Sequence, residues 1–210
     1  MTQLQTDIAA FLGHRQPEDR EASFDYCYNY FQSFRESQQL SQLCEPEHLP
    51  QACLHLGFYL ASWGMFRGKA FLLGRSARHY IPLIEVIAAT PEEVWAIDID
   101  EYSAENVARL LSYERQIAAA LTQGIEAQAS VTLTTKVMLG VFGNVPALDT
   151  FVFNGLAAET GVKAWQLDAK ALAALSQYYA AHRHIFDAQS IHTLDFLRRL
   201  GPSKIVGEYG

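Results

Sequence analysis

Two stretches of the chain hold residue types that do chemistry. The first runs Tyr59-Leu60-Ala61-Ser62-Trp63-Gly64-Met65-Phe66-Arg67-Gly68-Lys69, with Arg75, Arg78 and His79 close behind. It gathers positive charge in a chain that is otherwise acidic. Glycines there expose backbone N–H groups, and a nearby helix start adds the positive end of its dipole, so the combination suits an anion. Trp63 offers a ring on which a base can stack. The plainer reading is a surface loop whose Arg and Lys pair with neighbouring carboxylates.

The second stretch is Lys136 to Asp149 with Thr150. Lys136 and Asp149 are charged residues in the most apolar part of this half of the chain. Such groups are paired, reach solvent or act on a ligand. Asp149 falls in the first turn of an expected helix, where a carboxylate also simply stabilises. Catalytic candidates are therefore Asp149 and Lys136. Ligand-binding candidates are Arg67, Lys69, Arg75, Trp63 and, from the break after residue 142, Asn144.

Metal and cofactor chemistry finds little support. His182 and His184 cannot share a helix face, His184 and His192 stand eight apart with Asp187 between them, and Pro50 separates His48 from His55. Cys27, Cys44 and Cys53 include no C-x-x-C pair, so they read as packed free thiols in a reducing compartment. No Ser nucleophile elbow, Walker A loop or dinucleotide fingerprint occurs. Asp98, Asp100 and Glu101 read as a solvated turn, too short for a calcium loop. No metal and no cofactor is expected.

The elements that must position these residues read as helices. Glu21 to Ser37 places Phe24, Cys27, Tyr28, Phe31 and Phe34 at helical spacing, a nearly all-aromatic face. Before it, Gly13 to Arg20 reads as a linker after a short amphipathic start. Ala52 to Phe66 is apolar nearly all round, which puts it at the centre of the core. It ends either near Gly64 or beyond Gly68. Thr90-Pro91-Glu92-Glu93 has the form of a capping box. Ser103 caps a run with Val107, Leu110, Leu111, Ile117 and Leu121 in a stripe, closed by Gly124. Val131 to Phe142 is β-branched at its start, yet Leu133, Val137 and Val141 group on one helical face. Ala147 restarts a helix, Asp168 caps an alanine-rich one, and Ile191 to Leu200 reads as a last short helix. The expectation is an all-α single domain over 1–210, of about eight helices.

Composition limits function further. The chain has 210 residues, 50% of them hydrophobic and 19% charged, which is enough apolar material for a sizeable core. A net charge of −7 argues against non-specific coating of nucleic acid, although a local basic patch remains compatible with it. The start has no basic region ahead of its apolar stretch, and Leu56 to Phe66 is too short to span a bilayer. A cytoplasmic location without membrane contact is expected.

Four stretches carry a resemblance that covers most of the chain. Ser23 to Phe31, Leu60 to Gly68, Lys136 to Asp149 and the terminal Lys204 to Gly210 resemble a bacterial family without an assigned function. That resemblance implies a common fold and no activity. Lys136 and Pro146-x-x-Asp149-Thr150-x-Val152 are also similar to a segment of the helix-hairpin-helix DNA glycosylases. There the corresponding Asp activates water or stabilises charge on the deoxyribose, a role that would fall to Asp149. The Leu-Pro-Gly-Val-Gly hairpin of that superfamily is missing, with Ser130 to Thr135 in its place, and Lys136 stands too close to Asp149 for the usual nucleophile position. The similarity therefore implies topology alone.

Three functions compete. A binding or interaction module, as a homodimer or with a protein partner, suits the aromatic helix at Glu21 to Ser37. A divergent glycosylase-like protein that holds nucleic acid through a local basic patch suits the Asp149 segment and the Arg67 to His79 run. A small-molecule enzyme requires Arg67, Lys69 and Asp149 to converge on one pocket.

Overall fold

Aromatic residues at helical spacing bury themselves only against another long apolar face, and this chain supplies two. A computed structural model describes residues 2–189, 192–194 and 199–202. Helix α1 spans Gln3–His14, α2 Ala22–Glu36, α3 Leu49–Ser62, α4 Ile81–Ala88, α5 Glu92–Trp95, α6 Ala104–Leu121, α7 Val131–Phe142, α8 Thr150–Thr160 and α9 Ala169–Phe186. Short 3-10 turns and one two-stranded hairpin, β1 (His192–Leu194) with β2 (Arg199–Pro202), complete the described residues. The fold is all-α.

Helices α2 and α3 lie antiparallel. Their rings pair in order: Phe24 with Tyr59 at 6.1 Å, Tyr30 stacked on His55 at 4.2 Å, and Phe34 edge-on to His48 at 5.1 Å. Helix α7 packs across both. The Tyr59 hydroxyl donates to the Lys136 carbonyl at 3.1 Å, and the Gln32 amide donates to the Val141 carbonyl at 3.0 Å. Close approach depends on glycine. A Cβ at Gly140 would run into the Tyr59 ring, and Gly143 ends α7 at φ 69° against Tyr28. Residues 133–142 of α7 are buried throughout, so α7 is the central helix.

The sequence places several elements correctly and misplaces others. Ser103, Ser130 and Asp168 cap α6, α7 and α9 through their side-chain oxygens. Helix α3 ends at Ser62, followed by Gly64 at φ 79°, so Met65 to Arg75 lies beyond it. The outer face of α3 is not core, because Leu54 and Phe58 remain exposed. Thr90 does not cap. Pro91 takes the N-cap position of the single-turn α5, while the buried Thr90 hydroxyl donates to the Val86 carbonyl and bonds the Tyr113 hydroxyl.

Helix α8 starts at Thr150 rather than Ala147. Ala147 and Leu148 instead run buried along α7, where Thr132 donates to the Leu148 carbonyl and Thr135 accepts the Leu148 N–H, both at 2.9 Å. Within Ile191 to Leu200, the described residues form strand and not helix. The reason lies outside the segment: Asn29 and Arg15 take the carbonyls of Leu194 and His192, and β2 pairs alongside. The terminal Lys204 to Gly210 lies outside the described residues. Among the described residues, no helix is long and apolar enough to cross a membrane.

Candidate functional site

The start of α2, the end of α3 and the middle of α7 meet at one place. Trp63 is the C-cap residue of α3, fixed by its N–H to the Tyr59 carbonyl at 3.0 Å. Lys136 of α7 is 4% exposed and sets its ammonium 5.0 Å from the centre of the Trp63 ring. Arg20, from the turn before α2, brings its guanidinium to the same distance, 5.0 Å. A cation over an indole face gains roughly 0.5–1 kcal/mol when exposed and about 2 when desolvated. Arg20 reaches solvent and also pairs with Glu21 at 3.1 Å, so the junction opens outward on its side.

Buried side-chain polar atoms without a partner occur here as well as at Tyr80, Trp95 and Asn144. Among the described residues, the buried indole N–H of Trp63 and the hydroxyl of Ser23 make no hydrogen bond. Ser23 sits one helical turn on from Arg20 and is 3% exposed. Buried polar atoms in folded proteins are nearly always satisfied, so the Trp63 indole N–H leaves a donor open at this junction.

Beside this junction lies a buried ion pair. Arg15, in the segment read as a linker, meets Asp25 of α2, and both side chains are buried. Burial pushes the Asp25 carboxyl up to about 6, against the pull of the Arg15 charge and the Leu194 N–H. One oxygen of Asp25 and Nε of Arg15 have no partner among the described residues.

The other sequence candidates fall elsewhere. Arg67 folds back so that its Nε donates to the Gly64 carbonyl at 3.3 Å, which keeps it on the Trp63 loop. Lys69, Arg75 and Arg78 are exposed, and His79 takes its Nε2 to the Leu121 carbonyl at 2.8 Å. Asn144 is fully buried; its side-chain amide donates to the Val94 carbonyl at 3.1 Å and its main-chain carbonyl accepts from the Tyr102 hydroxyl at 2.6 Å, so it ties the α7–α8 connection to the region of α5. Asp149 is the N-cap of α8, with one oxygen accepting from Phe151 at 2.9 Å and Val152 at 3.0 Å. Among the described residues no ion pair joins Asp149 to Arg67 or Lys69. Trp63 and Lys136 are thus brought together, Arg67 is adjacent, and the rest are dispersed.

The capping geometry of Asp149 makes a test. Asp149→Asn retains an acceptor and should leave stability within a few tenths of a kcal/mol, whereas Asp149→Ala should cost about 1 kcal/mol in urea titration. Equal losses in the two variants would mean that charge, and not capping, is what the position needs.

Cys27, Cys44 and Cys53 are free, and burial pushes the Cys53 thiol up to about 11, away from nucleophilic use. Among the described residues no group of His, Cys, Asp and Glu is placed to hold a metal ion. A cleft of about 920 Å³ between α4 and α6, which Val86, Thr90, Arg109 and Tyr113 help to line, includes none of the sequence candidates. Comparison with family models, curated proteins and solved structures finds no match for the chain.

Arg15, Arg20, Ser23 and Asp25 escaped the sequence reading. Asp25 carried a signal, as an acid amid the apolar positions of α2. Arg15 and Arg20 carried none, because a polar run ahead of a helix looks the same whether or not it folds back.

Proposed function

We propose that this chain is a binding module that holds a phosphate-bearing ligand at the junction of α2, α3 and α7. The observation that carries this reading is Trp63, with the cations of Lys136 and Arg20 each 5.0 Å from its ring and its indole N–H without a partner. Fixed donors and cations in a half-desolvated place favour an oxyanion over water. Binding is favoured over catalysis because the Asp149 carboxylate is engaged in capping α8, while Arg67 and Lys69 make no ion pair with it.

Inorganic phosphate and a fluorescent single-stranded 12-mer oligonucleotide serve as probes, the first by quenching of the tryptophan emission that Trp63→Phe removes, the second by anisotropy. Binding by wild type in low salt is expected, weakening as salt rises. Arg20→Ala, at an exposed position, should weaken it about tenfold, the equivalent of one charge-assisted hydrogen bond. Phosphate binding alone would assign a small ligand; oligonucleotide binding would assign a nucleic acid. No binding of either probe, or binding that Arg20→Ala and Trp63→Phe leave unchanged, would remove this reading.

A further inference from the structure

Helix α3 carries no Asp, Glu, Lys or Arg along its whole length. Its inner residues are core, while Gln51, Leu54, Phe58 and Ala61 are exposed. At 3.6 residues per turn these four fall within about a quarter of the helix circumference, so they form one stripe on the outer face. Leu54 is 53% exposed and Phe58 64%, and among the described residues no other two exposed large apolar side chains share a helix. Their steps of three, four and three residues are those of the a and d positions of a coiled coil, a seam whose partner is another helix. The four positions are also symmetric about Leu56. A second copy turned end for end sets Leu54 against Phe58 and Gln51 against Ala61, and each contact then occurs twice.

The two ends of α3 differ in charge. Glu45 and Glu47 stand exposed before it, and Glu45 is fixed there by its carbonyl, which accepts from the N–H groups of His48 at 3.0 Å and Leu49 at 2.9 Å. Past the other end stand exposed Arg67, held to the Gly64 carbonyl at 3.3 Å, and Lys69. A parallel copy brings like charges together, whereas an antiparallel copy brings acid to base at both ends. A net charge of −7 opposes contact between copies elsewhere, and the uncharged stripe escapes that repulsion.

We propose that two copies of this chain pair antiparallel through the outer face of α3, with Leu54 and Phe58 at the centre and the acidic end of each helix facing the basic end of the other. The occupant is a second copy because the stripe and its charged ends are complementary to themselves. One helix pair makes a small interface, so the dimer is weak, with a dissociation constant on the order of 10 µM. This inference stands apart from the ligand site and does not depend on phosphate binding.

Sedimentation velocity of the full chain, from about 2 to 200 µM, is the test. The average mass should rise from that of one chain toward that of two. Phe58→Glu, at an exposed position that folding tolerates, should weaken association more than about tenfold, because it sets a charge against the partner's apolar centre. Arg67→Glu and Glu47→Lys should each weaken it about fivefold, and the double variant should recover wild-type association, since acid and base then only exchange ends. Circular dichroism confirms that each variant keeps its helices. A chain that remains a monomer at the highest concentration would overturn the proposal and leave the stripe to a helix of a different protein. So would a dimer indifferent to Phe58→Glu, or charge variants whose combination shows no recovery.

Discussion

Gly140→Val should destabilise the chain by about 3 kcal/mol, read as a lower midpoint in urea at unchanged slope. Two effects oppose each other at this position. A glycine inside a helix costs about 1 kcal/mol relative to alanine, so most replacements would gain on backbone entropy alone. Against this, the Tyr59 ring occupies the space a Cβ would need, and Tyr59 is fully buried with its hydroxyl bonded to the Lys136 carbonyl. The ring cannot swing away without giving up that bond, and the surrounding core is closed on it. Steric cost therefore exceeds the entropic gain. Tyr59→Leu should recover part of the loss in the double variant, because the two residues share one contact. A Gly140→Val chain as stable as wild type would mean that α3 and α7 do not pack as closely as described.

The same contact explains why the helices were legible but their arrangement was not. Periodicity revealed the buried face of α7, Leu133, Val137 and Val141, because burial on one side of a helix imprints a period on the sequence. It could not reveal that α7 is buried all round, since Thr134, Thr135 and Lys136 read as polar. Their polarity is absorbed locally: Thr134 donates to Glu114 at 2.7 Å, and Thr135 bonds both its own helix and the Leu148 N–H. Thr90 illustrates the opposite error. Its position before Pro91 has the form of a cap, yet a nearby Tyr113 and a free carbonyl of α4 offered its hydroxyl better partners. The strand at 192–194 was illegible for a related reason. Its conformation is set by Asn29 and Arg15, more than 160 residues away in sequence.

Half of the junction was readable and half was not. Trp63 and Lys136 drew notice as functional types in unusual surroundings, and the structure brings them into contact. Asn144 and Asp149 drew notice in the same way. Their surroundings answer differently, because a polar residue at a helix boundary has unsatisfied backbone groups within reach and settles there. Arg15 and Arg20 could be placed only by knowing that the segment before α2 returns across the ends of α2 and α3.

Arg15→Met should break the buried pair with Asp25, and its cost should depend on pH. Removing one partner of a buried ion pair leaves the other charge without compensation, which costs about 3–5 kcal/mol. Asp25, with no exposed surface, has no solvent to turn to. Its carboxyl already sits at about 6 with Arg15 present, and loss of that charge moves it higher still. A group whose folded value is raised contributes stability that is complete below its unfolded value and is lost as pH rises through the folded one. The deficit of Arg15→Met relative to wild type should therefore be largest near pH 8 and shrink toward pH 5, where Asp25 carries its proton in both chains. Urea midpoints across that range measure it. A deficit that is constant with pH would assign Arg15 to packing, through its aliphatic stem and its contact with Phe11 at 5.8 Å, and not to charge.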